Sequence, residues 1–173
     1  GSFLFESIHG GERLGRYSFI GLHPRAWLRI QDGVSEISPD LSFANATKLT
    51  QEPVGALRQF ADAARAEAAA EEELPPMASG AFGYVGYDMI QHVEPVEITK
   101  PDMLDVPEAL LVIPGVVLIF DHLYQQLLLV GRHAPGEEAQ GNALLDKVEA
   151  ALERPPPISP REGEPEELSF VSN

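Results

Sequence analysis

The stretch that decides the fold reads ALLVIPGVVLIFD and covers residues 109–121. It is apolar from Ala109 to Phe120 except at Pro114-Gly115, and this pattern predicts either two buried strands or one bent strand. His122-Leu123 then indicates a turn, and the run from Tyr124 to Arg132 predicts the returning strand of a buried hairpin. We expect these strands to lie at the centre of a sheet.

Shorter strands are predicted on the N-terminal side of this hairpin. Asp32-Gly33 is a strong two-residue hairpin signal between two runs of apolar and β-branched residues. A further strand is punctuated by glycines, which would let another backbone or a bulky ring approach closely. The predicted strands are 3–8, 16–22, 26–31, 34–38 and 79–87.

Two amphipathic helices are predicted from apolar residues at helical spacing, over 52–73 and 137–153. Pro53 suits the first turn of the earlier helix. Its last turn is expected to fray, because the acidic residues 71–73 oppose the helix dipole and Pro75-Pro76 ends the helix. A short helix is expected from Asp88 to about His92.

The order of these elements predicts the α+β class. We expect a mainly antiparallel, sandwich-like β-sheet with helices packed on its outside. Residues 1–153 would form one domain, and residues 154–167, rich in proline and acids, would form a linker. Residues 168–173 resume an apolar alternation and would begin a further domain.

Composition excludes several classes of function. The net charge of −15, from 27 acidic and 12 basic residues, argues against nucleic-acid binding. No apolar run reaches the ~20 residues that span a bilayer, and no signal peptide is visible, so we expect a cytoplasmic protein. With no cysteine, and with five histidines that show no metal-ligand spacing, the sequence predicts neither a metal site nor a catalytic residue.

The candidate ligand site lies in the segments FLFES, residues 3–7, and GGERLGRYSFIG, residues 10–21. In a regular strand Glu6 would share a face with Leu4 and Ile8, and we expect that face to be buried. A buried carboxylate needs a cation. Arg16, Arg13 and a ligand ammonium group are the candidates, and the sequence leaves the choice open.

Four segments in order resemble a known family: FLFES, GGERLGRYSFIGLHP, SGAFGYVGYDMIQHVEP and PEALLVIPGVVLIFDH. They are similar to the N-terminal half of component I of anthranilate synthase and its chorismate-using relatives. The resemblance implies a lyase of tryptophan biosynthesis that converts chorismate and ammonia to anthranilate and pyruvate. One departure is Gln91, where many relatives carry arginine.

The resemblance also implies the roles of individual residues. Those that would line a pocket for L-tryptophan, the feedback inhibitor, are Phe5, Glu6, Ser7, Arg16, Tyr17 and Ser18. The chorismate and Mg2+ sites would lie in the C-terminal half, so this part of the protein would be catalytically silent alone. Its partners would be that catalytic half and a glutamine amidotransferase subunit, component II, which supplies the ammonia.

Two other functions remain open at this point. Aminodeoxychorismate synthase component I, an enzyme of the folate pathway, shares the same architecture. A stand-alone amino-acid-binding module would need no enzyme attached to it.

Overall fold

The computed structural model describes residues 1–6, 15–66, 74, 77–98, 104–134 and 136–155. Its helices are α1, Pro53–Ala66, and α2, Glu138–Leu152, with a 3-10 helix at Tyr87–His92. The strands are β1 (Phe3–Phe5), β2 (Tyr17–Gln31), β3 (Val34–Ser38), β4 (Thr47–Lys48), β5 (Phe82–Val85), β6 (Ala109–Asp121) and β7 (Gln126–Gly131).

The predicted hairpin is confirmed, but only its first strand is buried and central: among the described strands β7 pairs with β6 alone, and none of its residues is fully buried. β6 runs unbroken through Pro114-Gly115, and it pairs with β7 from Val116↔Gly131 to Asp121↔Gln126. The alternative of two separate buried strands is therefore wrong. Its long apolar run places almost all of β6 in the core.

β2 joins two predicted strands, 16–22 and 26–31, into one. It pairs with β6 from Tyr17↔Asp121 to Ile30↔Ala109, and the register shifts between Pro24 and Ala26. A proline has no N–H to donate, and here Pro24 lies opposite Pro114, so the ladder is interrupted in both strands at one level. The bulge keeps one strand continuous where the sequence predicted two.

All seven strands form one antiparallel sheet in the order β4-β3-β2-β6-β5, with β1 paired to β2 and β7 paired to β6. β1 pairs with residues 19–21 of β2, whereas β3 pairs with residues 27–31. The two ends of the central pair therefore have different neighbours. β1 and β7 flank the end that holds Arg16 and Asp121.

The Asp32-Gly33 turn is confirmed between β2 and β3. Both residues have positive φ, 50° and 70°, as a tight two-residue hairpin requires. The glycine-punctuated strand is shorter than predicted, since β5 covers only Phe82–Val85. Gly83 has φ 147°, and a Cβ there would overlap the backbone of β6 at Leu110.

Three clusters of apolar side chains hold the helices and strands together. One contains Phe60 of α1 with Leu28 and Ile30 of β2. Another contains Val148 of α2 with Val116 and Leu118 of β6. The third lies on the opposite face of these strands and includes Trp27, Phe82, Val117 and Ile119.

The antiparallel sheet with helices confirms the coarse α+β prediction. The sandwich-like arrangement and the domain boundary at residue 153 stay predictions. Residues 67–73, with the predicted fraying turn, and Pro75-Pro76 lie outside the described residues, as do 156–173, which hold most of the predicted linker and the predicted start of a further domain.

Candidate functional site

The predicted site residues that the structure describes lie where β1 and β2 meet. Phe5 ends β1 opposite Phe19 of β2, and Glu6 follows it directly. Arg16 precedes β2, whose first two residues are Tyr17 and Ser18. Ser7 lies outside the described residues.

Arg16 is bound to Asp121, the last residue of β6. Its Nε lies 3.1 Å from each carboxylate oxygen, and one terminal nitrogen lies 2.7 Å from Oδ2. The side chain of Asp121 is only 6 % exposed, whereas that of Arg16 is 33 % exposed. The hydrogen bonds from Arg16 hold the pKa of Asp121 below its usual value, and the same contact raises the pKa of Arg16.

Two tyrosines complete the surroundings of the guanidinium group. Its central carbon lies 4.8 Å from the ring centre of Tyr17 and 4.9 Å from that of Tyr124. Each ring face attracts a cation at such distances. Asp121 and both rings therefore hold the guanidinium group of Arg16 within the fold.

Glu6 differs from the prediction in two respects. It is exposed, and Arg16 is paired with Asp121 instead. The strand presents Phe3 and Phe5 to other aromatic rings, while Leu4 on its opposite side is 58 % exposed. The expectation that Glu6 lies on a buried face was therefore wrong, because the face shared with Leu4 points to solvent. Arg13, another candidate partner of Glu6, lies outside the described residues.

An aromatic cluster lies on the face of β1 opposite Leu4. Phe5 stacks on Phe82 with ring centres 6.2 Å apart, and it lies 5.4 Å from Phe3. The ring centre of Phe82 also lies 6.3 Å from that of Phe19. Phe5 keeps 44 % of its surface exposed, so part of its ring remains open to solvent.

Tyr17 and Ser18 lie on opposite faces of β2, as strand alternation requires. Ser18 is 4 % exposed, and its hydroxyl lies 2.7 Å from Nε2 of His122. The Ser18 hydroxyl therefore already has a partner on the β6–β7 turn. Tyr17 therefore faces the aromatic cluster, whereas Ser18 faces away from it.

Sequence reasoning missed Asp121, His122 and Tyr124. Asp121 also stabilises the β6–β7 turn. Its Oδ1 accepts hydrogen bonds from the backbone N–H groups of Leu123, at 3.0 Å, and Tyr124, at 3.3 Å. An aspartate that ends a buried strand at a turn is a common signal for such local hydrogen bonds. That signal could have predicted the turn contacts, although not the pairing with Arg16.

The described residues contain no group of three or more His, Asp or Glu side chains placed to hold a metal ion. Neither helix in the described part of the chain is long and apolar enough to cross a membrane. What the site offers is an exposed carboxylate, an open aromatic face and a fixed polar cluster.

The chain belongs to the chorismate binding enzyme family, whose model matches residues 3–173. Among curated proteins it is similar to "Anthranilate synthase component 1" of Thermus thermophilus, with 37% identity over 164 residues, covering 93% of this chain and 32% of that protein. The protein of the same name from Cereibacter sphaeroides is 35% identical over 155 residues, with 88% and 30% covered.

The fold also matches a solved structure, the crystal structure of anthranilate synthase component I from Streptococcus pneumoniae TIGR4. The TM-score is 0.65 at 19% identity, with 88% of this chain and 32% of that chain covered. The chain thus spans about a third of the length of the relatives it matches.

Proposed function

We propose that this chain is the regulatory N-terminal region of an anthranilate synthase component I and that it binds L-tryptophan as feedback inhibitor. The whole enzyme would act as a lyase that converts chorismate and glutamine-derived ammonia to anthranilate and pyruvate. The similarity to two curated proteins of that name supports this choice. Because these relatives carry that name, the proposal prefers anthranilate synthase to aminodeoxychorismate synthase and to a stand-alone binding module.

The observation that carries the proposal is the division of charge at the site. Arg16 is held by Asp121 and two tyrosine rings, while Glu6 is exposed and Phe5, the residue before it, is 44 % exposed. An exposed carboxylate can accept hydrogen bonds from the ammonium group of tryptophan, and an exposed aromatic ring can pack on the indole. In this proposal Glu6 and Phe5 contact the ligand, and Ser7 contributes polar groups.

The remaining predicted residues then have supporting roles. Arg16 and Tyr17 fix the start of β2. Arg16 is paired with Asp121, and the ring of Tyr17 lies against the guanidinium group. Ser18 ties β2 to the β6–β7 turn through His122. We expect these three to shape the pocket wall, because their polar groups or rings are already engaged within the fold.

Catalysis is proposed to occur outside this chain. The described residues offer no cluster of His, Asp and Glu for Mg2+, so no catalytic step is derived from them. The chorismate and Mg2+ sites belong in this proposal to the other two-thirds of the enzyme. A glutamine amidotransferase, component II, would deliver ammonia there, and the assembly would work in the cytoplasm.

Inhibition of the full-length enzyme by L-tryptophan tests the proposal. With ammonia and chorismate as substrates, we expect Glu6→Gln to raise the inhibitory concentration about tenfold, the effect of one lost charge-assisted contact. Glu149→Gln, on the exposed side of α2, is the matched control and should leave inhibition unchanged. Equal inhibition of the wild type and Glu6→Gln would refute the assignment of Glu6.

A further inference from the structure

The ring of Phe3 lies directly over Gly21. The two residues are opposite partners in the β1–β2 ladder, so their side-chain positions share one face. A Cβ added to Gly21 would overlap three carbons of the Phe3 ring. The absence of a side chain at residue 21 is what lets the ring lie against β2.

Phe3 is fixed from the other side by β5. Its ring centre is 4.7 Å from that of Phe82, at an interplanar angle of 33°. Phe82 is almost fully buried, and its strand is anchored on β6 through the pair Phe82↔Val112. Phe3 is thus clamped between Gly21 of β2 and a core residue of a strand that does not pair with β1.

This clamp matters because β1 is short. It has three residues and three ladder partners on β2. A strand of that length at a sheet edge has few backbone hydrogen bonds, so side-chain packing decides where it lies. Glu6 follows Phe5 directly, and its position therefore depends on how β1 is held.

We propose that Phe3 and Gly21 are positioning residues for tryptophan recognition: the ring of Phe3, which lies over Gly21 and packs at a tilt against Phe82, sets where Glu6 presents its carboxylate. The proposal rests on the proposed function. It adds two residues that do not themselves contact the ligand but determine the affinity for the inhibitor. A change of one methyl group at residue 21 would alter that affinity without touching the ligand.

The test is calorimetric titration of L-tryptophan into the full-length protein. Gly21→Ala should weaken binding about tenfold. Phe3→Leu is the milder change, because it adds no atom at Gly21, and it should weaken binding less but measurably. Gly55→Ala in α1 is the matched control, because its added Cβ would meet only ordinary contacts of 3.5 Å and longer. Circular dichroism establishes that each variant is folded.

The deciding readout is the combination with Glu6→Gln. If Phe3 and Gly21 act through Glu6, then Gly21→Ala and Phe3→Leu should change the affinity less than about twofold in the Glu6→Gln background. If both substitutions weaken tryptophan binding in the Glu6→Gln background as much as they do in the wild type, the positioning role is overturned. Phe3 and Gly21 would then have only a structural role. Wild-type affinity in both single variants would also overturn it.

Failure of the proposed function gives a different result. Absence of tryptophan binding by the wild-type full-length protein refutes that function and this inference with it. Normal binding that is weakened by Glu6→Gln but unaffected by Gly21→Ala and Phe3→Leu refutes the inference alone.

Discussion

Arg16 and Asp121 form a two-point ion pair that joins the start of β2 to the end of β6. The residues are 105 positions apart in sequence, yet their strands are neighbours in the sheet. The pair engages Nε and one terminal nitrogen of Arg16, which the sequence offered as a partner of Glu6. The candidate ligand site therefore has a fixed cation and an exposed anion.

The geometry of this pair predicts that a lysine cannot replace Arg16. Arg16→Lys keeps the charge but loses the forked contact and the stacking on Tyr17 and Tyr124, so we expect the melting temperature to fall by a few degrees. Differential scanning calorimetry measures it. Arg58→Lys, on the exposed side of α1, is the control, and an equal fall in both variants would contradict the role of the pair.

The lowered pKa of Asp121 predicts a dependence of stability on pH. An unfolded aspartate has a pKa of about 3.9, so the contribution of the ion pair is complete above that pH. It is lost as the pH falls through the lower pKa of the folded state. Urea unfolding between pH 7 and pH 3 should show wild type and Asp121→Asn converging in stability at the acid end. A constant difference between them would rule out this linkage.

Gly83 is predicted to be irreplaceable within β5. Gly83→Ala would place a Cβ against the carbonyl of Leu110 and within 2.9 Å of the Cα of Leu111, at a φ of 147° that side chains disfavour. We expect a loss of about 1–3 kcal/mol in the free energy of unfolding. By contrast, Gly55→Ala in α1 should gain roughly 0.5–1 kcal/mol. Denaturant unfolding of the two variants checks both signs.

The hydrogen bond between Ser18 and His122 is predicted to be worth about 1 kcal/mol, the usual net value for such a contact. Ser18→Ala and His122→Ala should each lower the free energy of unfolding. The double variant should lose no more than the larger single loss, since both substitutions remove one contact. Strict additivity in this cycle would mean that the two side chains act independently.

The sequence predicted the backbone of the sheet well where local signals were strong. The apolar run 109–121 and the Asp32-Gly33 turn each act over a few residues, and both are confirmed. The merger of 16–22 and 26–31 into β2 was missed, because a strand can continue through a bulge beside proline.

The site was harder to predict because its contacts are long-range. Alternation in FLFES defines two faces of a strand but not which one is buried. Phe82, from a distant part of the chain, decides that Phe3 and Phe5 face inward and leaves Leu4 outward. Likewise, no local pattern links Arg16 with Asp121.

The central claim is that Glu6 recognises the ammonium group of tryptophan. Its most direct test is calorimetry on the full-length protein with L-tryptophan and with indole-3-propionate, which keeps the indole and carboxylate but lacks the amino group. We predict that Glu6→Gln weakens tryptophan binding about tenfold and leaves the weaker binding of indole-3-propionate unchanged or slightly improved. Equal effects of Glu6→Gln on both ligands, or no effect on tryptophan, would contradict the account.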